Sequence, residues 1–204
     1  QAIQFATRTN ENIEKLIQVF EQAITKLPFE IKVWSEYSQL LDDVGEIEKA
    51  ESVLRKGVNI NPFSQQLNYV LGEHLLKQGK ATDAIPHFER ALATDYQDQY
   101  QHDISQDAMR LTLAEAYEAI GEIEKAESLY KLAIAVADDS TDPNFIKYAR
   151  NRLIAIDAQR VLKGDVDIDE MLSTLKIEMR SPEDNEEQAE RAAQEDTGNA
   201  PSTV

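Results

Sequence analysis

The chain has 204 residues, of which 42% are hydrophobic and 29% are charged, a composition typical of a soluble folded protein. Its 38 acidic residues outnumber its 21 basic residues and give a formal net charge of −17. This charge disfavours nucleic acid and anionic membrane surfaces as partners and favours a basic or mixed-charge protein or peptide. The alternative is a surface that is acidic only for solubility. Cysteine is absent, which excludes disulfides and thiolate catalysis within these residues.

No apolar run approaches the ~18 residues that a membrane-spanning helix needs. The sequence also shows no basic-then-apolar leader. Because it begins at Gln1 rather than Met, an upstream anchor or signal stays open. The cytoplasm and a bacterial envelope both stay open as compartments.

An internal repeat dominates the chain. The octapeptide Gly-Glu-Ile-Glu-Lys-Ala-Glu-Ser occurs at residues 45–52 and again, unchanged, at 121–128, with a looser relative at 79–84. Gly45 and Gly79 are 34 residues apart, whereas Gly79 and Gly121 are 42 apart, which is one period plus eight inserted residues. A fixed period of this length predicts stacked structural repeats.

Three repeat units are predicted, at 31–64, 65–98 and 107–140, each with two amphipathic helices, because apolar residues recur at spacings of three and four. Glycine tolerates the left-handed geometry that ends many helices, so the three repeat glycines are expected to end the first helix of each unit. Acidic residues follow each glycine, where the dipole of the second helix favours negative charge.

This 34-residue pattern of paired helices resembles the tetratricopeptide repeat (TPR) family, over residues 31 to about 138. The resemblance implies an all-α fold, a right-handed superhelix (α-solenoid) of antiparallel helix hairpins with C-terminal capping helices. The matching residues are Trp34, Tyr37, Leu41, Ala50, Leu54 and Pro62 in the first unit, Leu71, Gly72, Leu75, Ala84, Phe88 and Ala91 in the second, and Leu113, Ala114, Tyr117, Ala126, Tyr130 and Ala133 in the third.

Four flanking segments complete the predicted organisation. Residues 1–30 are expected to form a partial or degenerate N-terminal hairpin. Residues 99–106 are an insertion, read either as a polar loop or as a lip over a binding groove. Residues 141–180 are predicted to be capping helices, and residues 181–204 form an acidic tail without an apolar face, which predicts disorder.

Motifs for catalysis and for cofactor binding are absent. His74, His87 and His102 never occur at the i, i+4 spacing of a helical zinc site, and the first two are expected on solvated helix faces. No glycine-rich phosphate loop or Gly-x-Ser-x-Gly nucleophile motif occurs. The sequence therefore predicts a protein that is not an enzyme and has no cofactor or metal site.

The resemblance implies that the first helix of each hairpin lines a concave groove that binds a protein or peptide segment. Tyr69 and Leu111 are expected to be apolar anchors there, among carboxylates. Simple solvation of the first helices is the alternative. Two other functions stay open: an accessory domain of a larger enzyme or envelope-assembly protein, and a self-assembling module. The candidate groove residues are Glu36, Gln39, Asp42, Asp43, Tyr69, Glu73, Lys77, Leu111, Glu115 and Glu118.

Overall fold

The structure, a computed structural model, describes residues 2–93, 105–137, 141–169 and 171–173, with side chains from residue 12 onwards. The described residues form α-helices and connecting turns, and no strand occurs among them. The all-α prediction is confirmed. The helices are α1 (Ala2–Lys26), α2 (Ile31–Asp43), α3 (Ile47–Ile60), α4 (Gln65–Lys77), α5 (Ala81–Ala93), α6 (Gln106–Ala119), α7 (Ile123–Ala135) and α8 (Pro143–Lys163).

Three helix pairs form antiparallel hairpins: α2 with α3, α4 with α5, and α6 with α7. Each hairpin also contacts the next, through α3 with α4 and through α5 with α6. A single hairpin cannot bury its apolar face, so this stacking creates the core. The core includes Leu41, Leu54, Leu71, Phe88 and Tyr130, none of which is measurably exposed.

The repeat glycines end the first helix of each hairpin, as predicted. Gly45, Gly79 and Gly121 have φ angles of 83°, 73° and 82°, in the left-handed region that favours glycine. At the first turn, the Gly45 amide donates to the Asp42 carbonyl (3.0 Å) and the Glu46 amide to the Leu41 carbonyl (2.8 Å). These bonds satisfy carbonyls that the end of α2 would otherwise leave unpaired.

Two serines begin first helices in a way that the sequence analysis missed. The Ser64 hydroxyl accepts from the Leu67 amide (3.2 Å), and the Ser105 hydroxyl accepts from the Ala108 amide (3.1 Å). Serine is a preferred N-cap because its oxygen satisfies an unpaired amide of the first turn. Ser105 and Gln106 therefore cap and begin α6, although they were assigned to the insertion at 99–106. The remainder of that insertion lies outside the described residues.

The chain divides into two compact units, Gln1–Arg150 and Asn151–Val204. In the first unit, the predicted partial hairpin at 1–30 contains a single 25-residue helix, α1, which packs on α2. Phe20 and Tyr37 stack there with their ring centroids 5.4 Å apart. In the second unit, the structure describes the end of α8, a glycine turn at Gly164 (φ 79°) and helical residues at 168–169 and 171–173. The predicted tail at 181–204 lies outside the described residues.

No helix in the described ranges combines the length and the apolar character that crossing a membrane requires.

Candidate partner-binding surface

The first helices of the three hairpins lie side by side. Helix α2 contacts α4, and α4 contacts α6. We call the surface formed by α2, α4 and α6 the first-helix surface. A cavity of about 260 Å³ opens between α2 and α4, and five predicted groove residues line it: Glu36, Gln39, Asp42, Glu73 and Lys77.

His74 lies at the base of this cavity, and the prediction of a solvated histidine is wrong. The residue is only 5% exposed, because α4 turns it towards α2. Its Nδ1 lies 3.1 Å from Asp42 Oδ2, and its Nε2 pairs with the Gln78 carboxamide. A buried imidazole needs partners at both nitrogens, and residues on two different helices supply them here.

Asp42 is the least satisfied polar group at this site. Its Oδ2 faces His74, but its Oδ1 is buried and has no hydrogen-bond partner among the described residues. A buried carboxylate oxygen without a donor costs free energy. The Asp42 side chain as a whole is 31% exposed, so rotation of the carboxylate can present Oδ1 to the cavity.

Tyr69 and Leu111 are buried, so the expectation of exposed apolar anchors is wrong. Tyr69 is 7% exposed and Leu111 is 5% exposed. The Tyr69 hydroxyl lies 3.1 Å from Glu73 Oε1 and 3.2 Å from Thr112 Oγ1, so it joins α4 to α6. Burial, with the negative charges of Glu73 and Glu115, raises the pKa of Tyr69 to about 12 despite the hydrogen bond with Thr112.

The two acidic residues of α6 are held by tyrosines from other helices. The Tyr148 hydroxyl donates to Glu115 Oε1 (2.6 Å), and the Tyr130 hydroxyl donates to Glu118 Oε2 (3.2 Å). Tyr148 lies in the first turns of α8. The sequence analysis assigned it to a capping helix and had no signal for its contact with α6.

The ten predicted groove residues therefore separate into groups. Five line the cavity between α2 and α4, two are buried, and Glu115 and Glu118 accept from tyrosines on α6. Asp43 is exposed beside the cavity and accepts from the Gln39 carboxamide (2.8 Å). Across the described ranges, no three carboxylate, histidine or cysteine side chains gather as metal ligands.

Comparison with protein families identifies the kind of repeat. The model of the Suppressor of forked protein (Suf) family, a family of TPR-like helical repeats, matches residues 4–160. The chain belongs to this family. The resemblance to TPR proteins that the sequence shows is thereby confirmed for this Suf-family chain, over most of the described residues.

Solved structures share this fold. A crystal structure of MamA is 21% identical to the Suf-family chain, with a TM-score of 0.60 over 91% of this chain and 95% of MamA. MamA from Desulfovibrio magneticus RS-1 (residues 41 to the end) is 19% identical, with a TM-score of 0.57 over 88% and 94%. YrrB, described as a TPR protein with an unusual peptide-binding site, is 18% identical, with a TM-score of 0.53 over 76% and 70%. Likeness at these identities shows the fold alone. No curated protein matches the chain by sequence.

Proposed function

We propose that this Suf-family chain is a non-catalytic scaffold that binds a basic or mixed-charge segment of another protein on its first-helix surface. The unpaired Asp42 Oδ1, in a cavity that Glu36 and Glu73 also line, carries the proposal. A lysine or arginine side chain of the partner would donate to this oxygen and end the cost of leaving it unpaired.

The charges around the cavity favour such a donor. Three carboxylates and one lysine, Lys77, line it, and the chain as a whole carries −17. Complementary charge raises association rates and specificity more than it raises affinity. Lys77 at the rim accommodates an acidic residue beside the basic one, which is why a mixed-charge segment also fits. The peptide-binding site in the description of YrrB shows that a related fold binds a peptide.

A pair of labelled peptides tests this proposal. The probes are acetylated, fluorescein-labelled Lys-Arg-Leu-Arg-Lys and its neutral counterpart Gln-Gln-Leu-Gln-Gln, measured by fluorescence anisotropy at low salt. We expect the basic peptide to bind the wild-type chain and Asp42→Asn/Glu73→Gln to weaken binding about fivefold or more. Glu14→Gln/Glu124→Gln removes the same charge at exposed sites on α1 and α7 and serves as the matched control. Equal losses in both double variants would reduce the effect to net charge and contradict the proposal.

Self-association is a second candidate, favoured by the exposed face of α1. Leu16 is 43% exposed and Val19 is 60% exposed, and among the described helices α1 packs on α2 alone. An uncovered apolar helix face in a stacked-helix protein can bind another copy of the chain.

Sedimentation velocity across a protein concentration series tests the second candidate. If copies stack through α1, the wild-type chain forms larger species as its concentration rises, and Leu16→Glu/Val19→Glu stays monomeric. Leu132→Glu, at an exposed leucine on α7, is the control and should behave as wild type. A wild-type chain that is monomeric at every concentration would exclude this candidate.

A further inference from the structure

A second cavity lies among the second helices of two successive hairpins. Its volume is about 720 Å³, and it is lined mainly by α3 and α5, with Leu71 of α4 at its floor. Helices α3 and α5 each pack on α4. We call this space the second-helix cavity. It shares no lining residue with the cavity between α2 and α4.

Basic side chains collect around the second-helix cavity, although the chain as a whole is strongly acidic. Arg55 and Lys56 of α3 and Arg90 of α5 line it, together with His87. Burial, followed by the positive charges of Arg90 and Arg55, lowers the pKa of His87. The same positive potential that disfavours an imidazolium ion would stabilise an anion in the cavity.

Two carboxylates also line the cavity, but they do not cancel this potential. Glu51 is already paired, because Arg55 Nε donates to it at 2.8 Å and Lys80 Nζ at 2.7 Å. These partners lower the pKa of Glu51, the Lys80 hydrogen bond having the largest effect. Glu48 lies two helical turns before Arg55, about 10 Å along α3. Lys56 pairs with no acidic group in the described part of the chain.

A buried asparagine holds the α5 side of the cavity in place. Asn68 is fully buried, and its Nδ2 donates to the carbonyls of Pro62 (3.0 Å) and Ser64 (2.8 Å). The Oδ1 atom is thereby oriented towards the other side, where it lies 3.2 Å from His87 Nδ1 and 3.5 Å from an Arg90 nitrogen. The basic side chains of α5 are thus fixed from the core.

Comparison with the neighbouring repeat explains how this site arose. Trp34 stands 34 residues before Asn68, and its Nε1 donates to the Pro28 carbonyl (2.9 Å) just as Asn68 donates to Pro62. Asn68 therefore preserves the hydrogen bond of the tryptophan with a smaller side chain. The oxygen that it adds is the one that His87 and Arg90 face.

The basic cluster belongs to this place and not to the repeat in general. One unit earlier, the positions of Arg55 and Lys56 are occupied by Glu21 and Gln22. One unit later, the positions of His87 and Arg90 are occupied by leucines 129 and 132. Positions that repeat for packing alone would not change charge in this way.

We propose that the second-helix cavity binds an acidic peptide segment of a partner protein, with carboxylates over Arg55, Lys56 and Arg90 and an apolar side chain on Leu71 and Val58. The basic side of α3 extends over residues 52–59, about 10 Å, which matches roughly three residues of extended peptide. The apolar floor is why a peptide fits better than a small free anion: Val58 and Leu71 are 7% and 0% exposed. This site is independent of the first-helix surface.

Fluorescence anisotropy with acetylated, fluorescein-labelled Glu-Asp-Leu-Asp-Glu tests the proposal, beside the neutral peptide used above. We expect Arg55→Gln/Lys56→Gln to weaken binding of the acidic peptide about tenfold, corresponding to ~1.4 kcal/mol for two charge contacts. Lys15→Gln/Lys147→Gln, which removes two exposed lysines elsewhere, should bind the acidic peptide less than twofold more weakly than wild type. Binding of the basic peptide should not weaken in either double variant.

A second readout locates the bound peptide. Titration of the His87 ring by NMR should give a higher pKa with the acidic peptide bound, because a nearby anion stabilises the imidazolium ion. The proposal is overturned if the peptide does not bind at ~1 mM, if both double variants lose affinity equally, or if inorganic phosphate shifts His87 as much as the peptide does. It is also overturned if Arg55→Gln/Lys56→Gln abolishes self-association and leaves peptide binding intact, since the occupant would then be a second copy of the chain.

Discussion

Tyr69 is buried where α4 meets α6, and its environment makes its titration a test of that contact. Its pKa is raised from 10 to about 12, so the folded chain keeps the phenol proton while the unfolded chain loses it. The folded state then binds more protons than the unfolded state between pH 10 and about 12, and the free energy of unfolding falls as pH rises through this range.

Urea denaturation at increasing alkaline pH measures this effect. We expect Tyr69→Phe to lose less stability than wild type between pH 10 and about 12, because it removes one group with a raised pKa. Tyr117, whose pKa is also about 12 because of its hydrogen bond with Glu89 and its burial, should still contribute in both proteins. Identical pH slopes in wild type and Tyr69→Phe would mean that Tyr69 is solvated.

Two helical glycines differ in how closely a neighbouring ring approaches them. A Cβ atom at Gly72 would lie 2.6 Å from Phe88 Cε1, whereas a Cβ atom at Gly57 would lie 3.1 Å from the Trp34 ring. Alanine favours the helix over glycine by ~1 kcal/mol at either position, so the approach of the ring decides the outcome.

We expect Gly72→Ala to lower the free energy of unfolding by ~1–3 kcal/mol, because Phe88 sits in the core and has little space to move. Gly57→Ala should change it by less than that, since a small movement of Trp34 relieves the contact and the helix gains propensity. Urea midpoints of the two variants give the comparison. A Gly72→Ala chain as stable as wild type would show that the second hairpin packs more loosely than described.

At the scale of the helix pair, alanines mark the closest approaches. Ala84 of α5 and Ala126 of α7 are fully buried at equivalent positions of their hairpins. Leucine at either position would overpack the crossing and cost ~1–3 kcal/mol. Thermal melts of Ala84→Leu and Ala126→Leu should both shift down, and Ala119→Leu, at an exposed position at the end of α6, should not. A melt unchanged by the buried substitutions would contradict the hairpin register.

The helices and their ends could be predicted from the sequence because their causes are local. Gly45, Gly79 and Gly121 take up the left-handed turn whatever lies around them, and apolar spacing identifies the buried face of each helix. The caps at Ser64 and Ser105 were also within reach, since a serine precedes each helix.

The side-chain environment of the site depends on neighbouring helices, so the sequence could not predict it. His74 is buried because Asp42 lies across from it on α2, and nothing in the residues adjacent to His74 encodes that contact. Tyr69 follows the spacing of a groove residue but is covered at the contact with α6. Tyr148 reaches Glu115 from a helix 33 residues away in sequence.

At the scale of the whole molecule, the described contacts are short in range along the chain. Each helix contacts only helices one or two places away in chain order. The stability of such an array approximates a sum of unit and interface terms, so its parts can unfold at different denaturant concentrations.

Trp34 gives that array an internal optical reporter. It is the sole tryptophan in the sequence, is 2% exposed and packs on Gly57 within the first hairpin. Its fluorescence therefore follows the first hairpin, whereas far-ultraviolet circular dichroism follows all the helices. We expect the two denaturation curves to have different midpoints, and Gly72→Ala to move the dichroism curve further than the fluorescence curve. Coincident curves for both proteins would mean that the hairpins unfold as one cooperative unit. A single buried indole thus lets the fate of one repeat be observed separately from that of its neighbours, without any added label.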